Sequence, residues 1–540
     1  MTGRLDRRRF LQGVAVAGAA APALAACSHS TDRNSVASNS KVVLPAYHPY
    51  GGARPDLAGD KAGLESGYLR YPAKPVESVA EKPGSGGSIS AFTIVYAAVP
   101  PPVNRNKYWT ALNRALGTDL KIQLTPSVDY QNKFSTLTAG GDVPDFVQVA
   151  GQQPKLPQLL AAEFQDLSEW LSGDAIKAYP FLANLPTDSW KATVFNGGIY
   201  GLPIPRAAVG PIMLRRDDIL KAKSLAADPT SFAEFTSLCR SLTDARHGKW
   251  AMCFPGGALI FIQEMLGVPN GWQVKDGKFT SVLELPETKQ AVGAVQSLVK
   301  AGCFHPDSFS TTINTKDLFG GGTVALHYDN YTSWGAYLRD YQKVSSSIDI
   351  GGMLPPSYAG GTKPVLWEGA PSYSLTAVKK GSKSHIKELL RIANWLAAPF
   401  GTREYLLRKY GVANVDYALN GSDPVLTDRG ETEVANFTAT YIADAPQVLY
   451  EPGKPAVTGK EYGYQQKAIP ITVGSPTLGL FSDTDASMGG QLTTAITDVQ
   501  HAIWQGHKPL SSWDDAVATW RRNGGDRIRK EYEQSYAKAH

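Results

Sequence analysis

The chain has 540 residues, a formal net charge of +5, 43% hydrophobic and 19% charged residues. That length suits two globular domains, and so small a charge excess gives no reason to expect nucleic acid as a partner. The four cysteines are too few and too scattered for a disulfide framework or a Cys/His zinc site, and the nine histidines show no metal spacing such as His-Glu-x-x-His.

The chain opens on Arg7-Arg8-Arg9, an uncharged run from Phe10 to Ala26 rich in Ala and Gly, and Cys27. A spanning helix needs about 20 mainly apolar residues, and this run is shorter and only weakly apolar. It reads as an export signal, residues 1–26. Arg7-Arg8-Arg9-Phe10-Leu11 resembles a twin-arginine signal and Leu24-Ala25-Ala26-Cys27 a bacterial lipobox, which implies Cys27 as the lipid anchor at the outer face of the cytoplasmic membrane. With the signal's four arginines and one aspartate removed, the remainder stands near +2. Residues 27–87, rich in Pro, Gly and Ser, read as a tether and extended arm, with order beginning at Ser88.

"SISAFTIVYAAV" then reads as a buried strand closed by Pro100-Pro101-Pro102. "NKYWTALNRALG" reads as a helix with Trp109, Leu112 and Leu116 on one face and Gly117 past its end. "LKIQLTP" alternates as a strand. Asp129 is the expected cap of a helix carrying Tyr130, Phe134 and Leu137, stopped by Gly140-Gly141, and "PDFVQV" is a further strand. Alternating strand and helix predict a parallel α/β sheet, whose ligands bind beyond the carboxyl ends of the strands. Downstream, Ser231 and Glu234 have capping-box spacing before Phe232, Phe235, Leu238 and Leu242. Gly320-Gly321-Gly322 precedes a strand, so it is a turn and not a phosphate loop, as is Gly140-Gly141. From Ala486 onward the chain reads as helix, with Met488, Leu492, Ile496, Val499 and Ile503 in register and Trp513 and Trp520 as core. Cys239, Cys253 and Cys303 are expected as buried free thiols, although one disulfide is possible.

Four segments in this order resemble the extracellular solute-binding proteins of bacterial ABC importers, in their large oligosaccharide-binding subgroup: "DYQNKFSTLTAGGDVPDFVQV", "GGIYGLPIPRAAVGPIMLRRDDIL", "LFGGGTVALHYDNYTSW" and "LSSWDDAVATWRRNGGDRIRKEYEQSY". The resemblance covers roughly 88–540. It implies two α/β lobes with a ligand cleft between them, one lobe of 88–205 with 355–398 and the other of 206–354 with 399–540. It places crossovers near Pro203-Pro205, Pro355-Pro356 and Pro399. It implies a monomer that captures a carbohydrate, or another small solute, by lobe closure and delivers it to a membrane permease, with no cofactor, no nucleic acid and no catalysis. Some large members carry an Asp-rich calcium loop; Thr243-Asp244-Ala245-Arg246-His247-Gly248-Lys249 has one carboxylate, so no metal is expected there.

Sugar faces stack on aromatic rings while planar polar groups pair with hydroxyls. The candidate ligand residues are therefore Tyr328, Asp329, Asn330, Tyr331 and Trp334 of "HYDNYTSW", Trp367 and Glu368 of "LWEG", Arg206 at the first crossover, Gln148 and Gln152 around the third strand, and Asn104 and Asn106 after the first. Trp272 is a weaker candidate that could instead cap a hairpin. The alternative is a surface glycan hydrolase or lyase, for which Glu368 and Asp329 would be the carboxylates.

Overall fold

The computed structural model describes residues 34–539 except Gln152 and Thr311. The export signal and Cys27 lie outside the described residues. In chain order the elements that matter here are β1 (Ser88–Val95), α1 (Lys107–Leu116), β2 (Asp119–Pro126), α2 (Ser127–Ala139), β3 (Phe146–Ala150), β4 (Leu202–Pro205), β5 (Pro211–Arg216), α3 (Phe232–Leu242) and α4 (Pro255–Met265). Then come β6 (Leu326–Asn330), α5 (Ser333–Tyr341), β7 (Ile350–Met353), β8 (Ser372–Val378), α6 (Lys383–Leu396), α7 (Arg403–Tyr410), β9 (Tyr417–Asn420), β10 (Asp423–Leu426), α8 (Asp428–Glu433) and α9 (Pro455–Ala468). Three helices close the chain: α10 (Asp483–Trp504), α11 (Ser512–Trp520) and α12 (Asp526–Ala539).

Two main sheets organise the molecule. The first has five strands in the order β2-β1-β3-β8-β4, and the second has three in the order β6-β5-β7. β1 pairs in parallel with β2 and β3, as alternation predicts, but β8 runs antiparallel to β3 and β4, so the sheet is mixed. The cause is topological: β8 re-enters the first sheet from the second and meets it from the opposite direction. In the second sheet both neighbours run antiparallel to β5.

Local sequence explains most elements. The Asn106 side chain accepts the Trp109 amide and starts α1, and Gly117, at φ 70°, ends it. α2 starts two residues before Asp129, which lies in its first turn and not at its cap. At α3 the Ser231 hydroxyl accepts the Glu234 amide at 3.2 Å, but Glu234 turns back to Thr230 instead of closing the box. Leu492, Ile496 and Ile503 of α10 are buried, whereas Met488 is exposed. Trp513 and Trp520 are core, and Trp272 packs against Trp520 and Tyr532 from a hairpin strand. Cys239, Cys253 and Cys303 are buried free thiols.

The chain passes between the sheets after β4, between β7 and β8, and again after Asp444. The first two passages are bonded side by side: the Arg206 amide donates to the Pro371 carbonyl at 3.1 Å and the Gly369 amide to the Ala208 carbonyl at 3.0 Å. A Cβ on Gly210 would stand 2.9 Å from the Gly369 nitrogen, so glycine is required for this approach.

Pro399 is not a passage. It joins α6 to α7, and the chain stays with the first lobe: Val434, Phe437, Ala439, Ile442 and Ala443 belong to the same core as Leu112, Phe146 and Leu389. Thr438 Oγ1 meets Thr93 Oγ1 at 2.7 Å, and Thr376 Oγ1 donates to the Tyr441 carbonyl at 2.6 Å. The segment 399–443, expected with the second lobe, thus packs on the first.

The described residues before Ser88, from 34 onward, also pack against the body of the protein. Tyr68 and Tyr71 are buried with Phe400, Tyr405 and Tyr450. The His48 amide donates to Ala183 in the first lobe, while the Glu65 amide donates to the Gln465 side chain on α9 of the second at 3.0 Å. Aromatic side chains spaced through a Pro/Gly-rich stretch supply the burial that its composition does not suggest.

Candidate functional site: the interlobe cleft

The carboxyl ends of β1, β2, β3 and β4 and the start of β8 lie on one edge of the first sheet. In the second sheet the start of β5 pairs with the end of β6, Pro211 opposite Asn330, beside the first passage. The two edges therefore both sit at the hinge and bound a cleft. Exposed large apolar side chains gather there: Tyr96 (60% exposed), Val99, Val103 and Val128 on the first edge, and Phe254 on the second.

On the first edge, the Arg206 guanidinium lies over the Tyr373 ring at 4.5 Å from its centroid. The Tyr373 hydroxyl contacts that of Tyr96, and the Tyr373 and Tyr441 rings are 5.4 Å apart. Burial pushes the Tyr441 hydroxyl up, and the Arg206 charge opposes this. Gln131 and Gln153 are paired amide to amide at 2.9 and 3.1 Å beside this edge. On the second edge, Phe254 precedes α4. A Cβ on Gly257 would come within 2.5 Å of the Tyr328 Cβ, so glycine lets the helix start against β6. A cavity of about 510 Å³ opens there, lined by Phe254, Ser308, Lys316, His327, Asp329 and neighbouring residues.

The sequence-derived candidates separate into two groups. Arg206, Asp329, Asn330, Glu368 and Asn104 reach the surface in part or in full. Asp329 is held by the Tyr337 hydroxyl at 2.8 Å and the Asn330 amide at 2.7 Å. Glu368 immediately precedes the second passage, which comes at Gly369 and not near Pro355-Pro356, since Tyr358 and Leu366 still pack on the second lobe; its carboxyl is raised above the usual range by partial burial and the Asp188 charge. The others are committed to the fold. Asn106 caps α1 and donates to the Glu433 carbonyl at 3.2 Å. Gln148 is fully buried, accepting the Ile94 amide at 3.0 Å and donating to Ser374 at 3.1 Å.

Tyr328 is buried and donates to Glu264 at 3.1 Å, and Tyr331 donates to the Glu461 carbonyl at 3.1 Å. Trp334 is 1% exposed and packs with Tyr331 and Tyr464, so the aromatic run expected to meet a solute is second-lobe core. Trp367 is half-buried, its indole nitrogen donating to the Val268 carbonyl at 2.8 Å. Gln152 lies outside the described residues. Sequence reasoning passed over Tyr96, Tyr373, Tyr441 and Phe254. Tyr96 had a signal, since it directly follows the first strand, whereas Tyr373 starts a strand whose direction no local pattern records.

Between the lobes lies a second cavity of about 510 Å³. Its wall carries Arg339 from α5 and Lys343 from the turn after it, Arg408 and Lys409 from α7, Lys454, and the carboxylates Glu431 and Glu451. Arg408 Nη1 bonds Asp444 at 2.6 Å, and Lys409 reaches the same carboxylate at 3.4 Å. Lys343, just after α5, meets Asp428 at 2.7 Å, and Arg339 pairs with Asp340 at 3.1 Å and stands 3.9 Å from Glu431, so the end of α5 in the second lobe is linked to α8 of the first.

The bacterial extracellular solute-binding protein family model matches residues 107–428, well over half of the chain. The polygalacturonan/rhamnogalacturonan-binding protein YtcQ of Bacillus subtilis (strain 168) is 25% identical over 482 residues, 85% of this chain and 93% of that protein. Lipoprotein LipO of the same organism is 23% identical over 490 residues, 84% of this chain and 93% of that protein. Among solved structures, the alginate-binding protein AlgQ2 without calcium ion superposes with a TM-score of 0.61 at 15% identity, covering 86% of this chain and all of that one, which shows the shared two-lobed α/β fold. With the family model spanning most of the two sheets and the passages between them, the chain belongs to the bacterial extracellular solute-binding proteins.

Proposed function

We propose that this protein is the lipid-tethered receptor of an ABC importer, capturing a carbohydrate between its lobes and handing it to the permease without chemistry. The observation that carries the reading is the first-lobe edge, where Tyr96, Tyr373 and Tyr441 are grouped with Arg206 at the hinge. Rings beside a guanidinium are the groups a sugar needs, faces for C–H stacking and donors for hydroxyls. The name of YtcQ, a polysaccharide-binding relative, supports a saccharide, and that of LipO supports tethering through Cys27. Among the described residues, no helix is long and apolar enough to cross a membrane.

In this reading the lobes close by bending the three passages, and the N-terminal arm, bonded to both lobes, bends with them. The ligand set becomes Tyr96, Arg206, Tyr373 and Tyr441 on one side, with Phe254, Asp329 and Asn330 facing them and Glu368 at the hinge. Export through the twin-arginine signal and a monomeric state complete the proposal. The test is a thermal-shift screen of the mature chain against oligosaccharides. A saturable rise in melting temperature with the sugar recovered intact is expected. Conversion of the sugar, abolished by Glu368→Ala or Asp329→Ala, would overturn the reading.

A further inference from the structure

The N-terminal arm crosses from the first lobe to the second and back. It leaves the first lobe after the His48 and Tyr50 amides, which donate to the Ala183 carbonyl at 2.8 Å and the Asn184 side chain at 2.9 Å. It returns there at Ser78 and Val79, whose amides both donate to Glu404 of α7, at 2.9 and 2.8 Å. Between these anchors residues 57–67 close into a clip. Leu57 and Gly67 exchange both backbone bonds, at 3.0 and 2.8 Å, and the Asp60 carboxylate accepts the Ala62 and Leu64 amides inside the turn. The clip rests on α9, where the Tyr462 hydroxyl donates to the Ala58 carbonyl at 2.7 Å and the Glu65 amide donates to Gln465 at 3.0 Å. It also lies on two of the three passages. A Cβ on Gly63 would stand 2.8 Å from that of Ala208 in the first. In the third, the Leu449 amide donates to the Ser66 carbonyl at 2.9 Å and the Tyr68 amide donates back at 2.8 Å.

Buried acids stand under the clip. Part of Glu65 stays at the surface, but its carboxyl turns inward: Oε2 accepts the Gln465 side chain at 2.5 Å, and Oε1 is shielded from solvent with no hydrogen-bond partner. Glu461, 5% exposed and one turn before Gln465, feels the charges of both Glu65 and Glu451 of the third passage. Tyr331, whose hydroxyl donates to the Glu461 carbonyl, and Tyr464 face the same group. Arg339 and Lys454 bring positive charge to Glu451, whereas among the described residues no ion pair reaches Glu65 or Glu461. Like charges this close in a low-dielectric site favour a retained proton.

Burial lifts Glu65 from 4.5 up to about 7, against the Gln465 bond. Burial, then the Glu451 and Glu65 charges, lifts Glu461 well above the usual carboxylate range, and burial lifts Glu451 up to about 7. Release of the clip returns Glu65 to water, so the docked clip holds a proton that the released one gives up. Docking is therefore strongest below about 4.5 and weakens as pH rises through about 7, by at most about tenfold per pH unit for one proton.

We infer that residues 57–67 are a proton-locked clasp on the hinge. Docked, the clip ties α9 and two passages to an arm anchored in the first lobe, and so restrains the bending by which the lobes move; with its acids ionised, the clip detaches and the passages bend freely. The clasp acts whatever solute the cleft takes, and the receptor reading stands with or without it.

The test is amide hydrogen exchange of the mature chain from about pH 5 to about pH 8, corrected for the intrinsic pH dependence of exchange and referred to the amides of β1. Exchange at Glu65 and Tyr68 should rise several-fold per pH unit up to about pH 7 and then level off, and the Arg206 and Gly369 amides that join the first two passages should follow. Glu65→Gln keeps an acceptor for the Gln465 side chain, lies on the arm and outside both lobe cores, and should abolish the rise. Clip exchange that ignores pH, or a rise that survives Glu65→Gln, overturns the proton lock. Passage amides that stay protected while the clip exchanges overturn the restraint on the hinge.

Discussion

Both lobes place aromatic side chains at the strand ends that meet the hinge, and the two lobes use them differently. In the first lobe, Tyr96 follows β1 into an irregular loop and remains 60% exposed. In the second, α5 begins at Ser333, only three residues after β6 ends, and Tyr331 just before it and Trp334 in its first turn pack against Tyr464 of α9. A ring at a strand end is a platform when a loop follows and core when a packed helix follows at once. Residue type is the same in both places; coverage by the next element decides the role.

The largest test of that contrast is Trp334→Ala. Truncating a buried tryptophan costs about 3–5 kcal/mol, so the denaturation midpoint should drop sharply. A normal midpoint with lost solute binding would make Trp334 a platform after all. Asp444→Ala should be comparably severe, because removing one partner of a buried pair costs about 3–5 kcal/mol, here leaving Arg408 uncompensated. Neighbouring Arg408 and Lys409 hold the Asp444 carboxyl below its usual range against the opposing effect of burial. Its stabilisation is therefore present above the ordinary aspartate pKa of about 4 and fades as pH falls below it.

Glu264 sharpens the second-lobe side. Burial pushes it from 4.5 up to about 8, so the folded form holds a proton that the unfolded chain releases. Stability should fall as pH rises from about 4.5 through about 8, by at most about 1.4 kcal/mol per pH unit. Glu264→Gln keeps the acceptor for Trp367 N and the Tyr328 hydroxyl and should flatten that slope in urea titrations across this range. An unchanged slope would place the titration elsewhere. The smallest effect belongs to the platform: Tyr96→Ala should leave stability within about 0.5 kcal/mol and weaken carbohydrate binding about three- to tenfold, the worth of one aromatic contact. A large loss of stability there would mean that Tyr96 is core, and the contrast between lobes would fail.

Local pattern was enough for many elements. β1, α1, β3 and α3 follow from apolar spacing, from Ser231 as a cap and from Gly117 as a stop, whereas Asn106, expected to meet a solute, is the cap of α1. It also carried the family resemblance and Arg206 at the first passage. It did not carry the ordered N-terminal arm, because the burial of Tyr68 and Tyr71 depends on Phe400 and Tyr450, more than three hundred residues away. Nor did it place 399–443, whose apolar residues suit either core equally well.

By itself the sequence determined which segments are strand and helix, that the sheets are of α/β type, and which residue types are available to hold a sugar. Those properties depend on neighbours three or four residues away, or two in a strand. Only the tertiary structure decided that β8 enters antiparallel, that the "HYDNYTSW" rings are core, and that Arg339, Arg408 and Lys409 line one cavity. These properties depend on which distant segment covers a side chain and which charges share a low-dielectric wall, and residues adjacent in the chain do not encode either one.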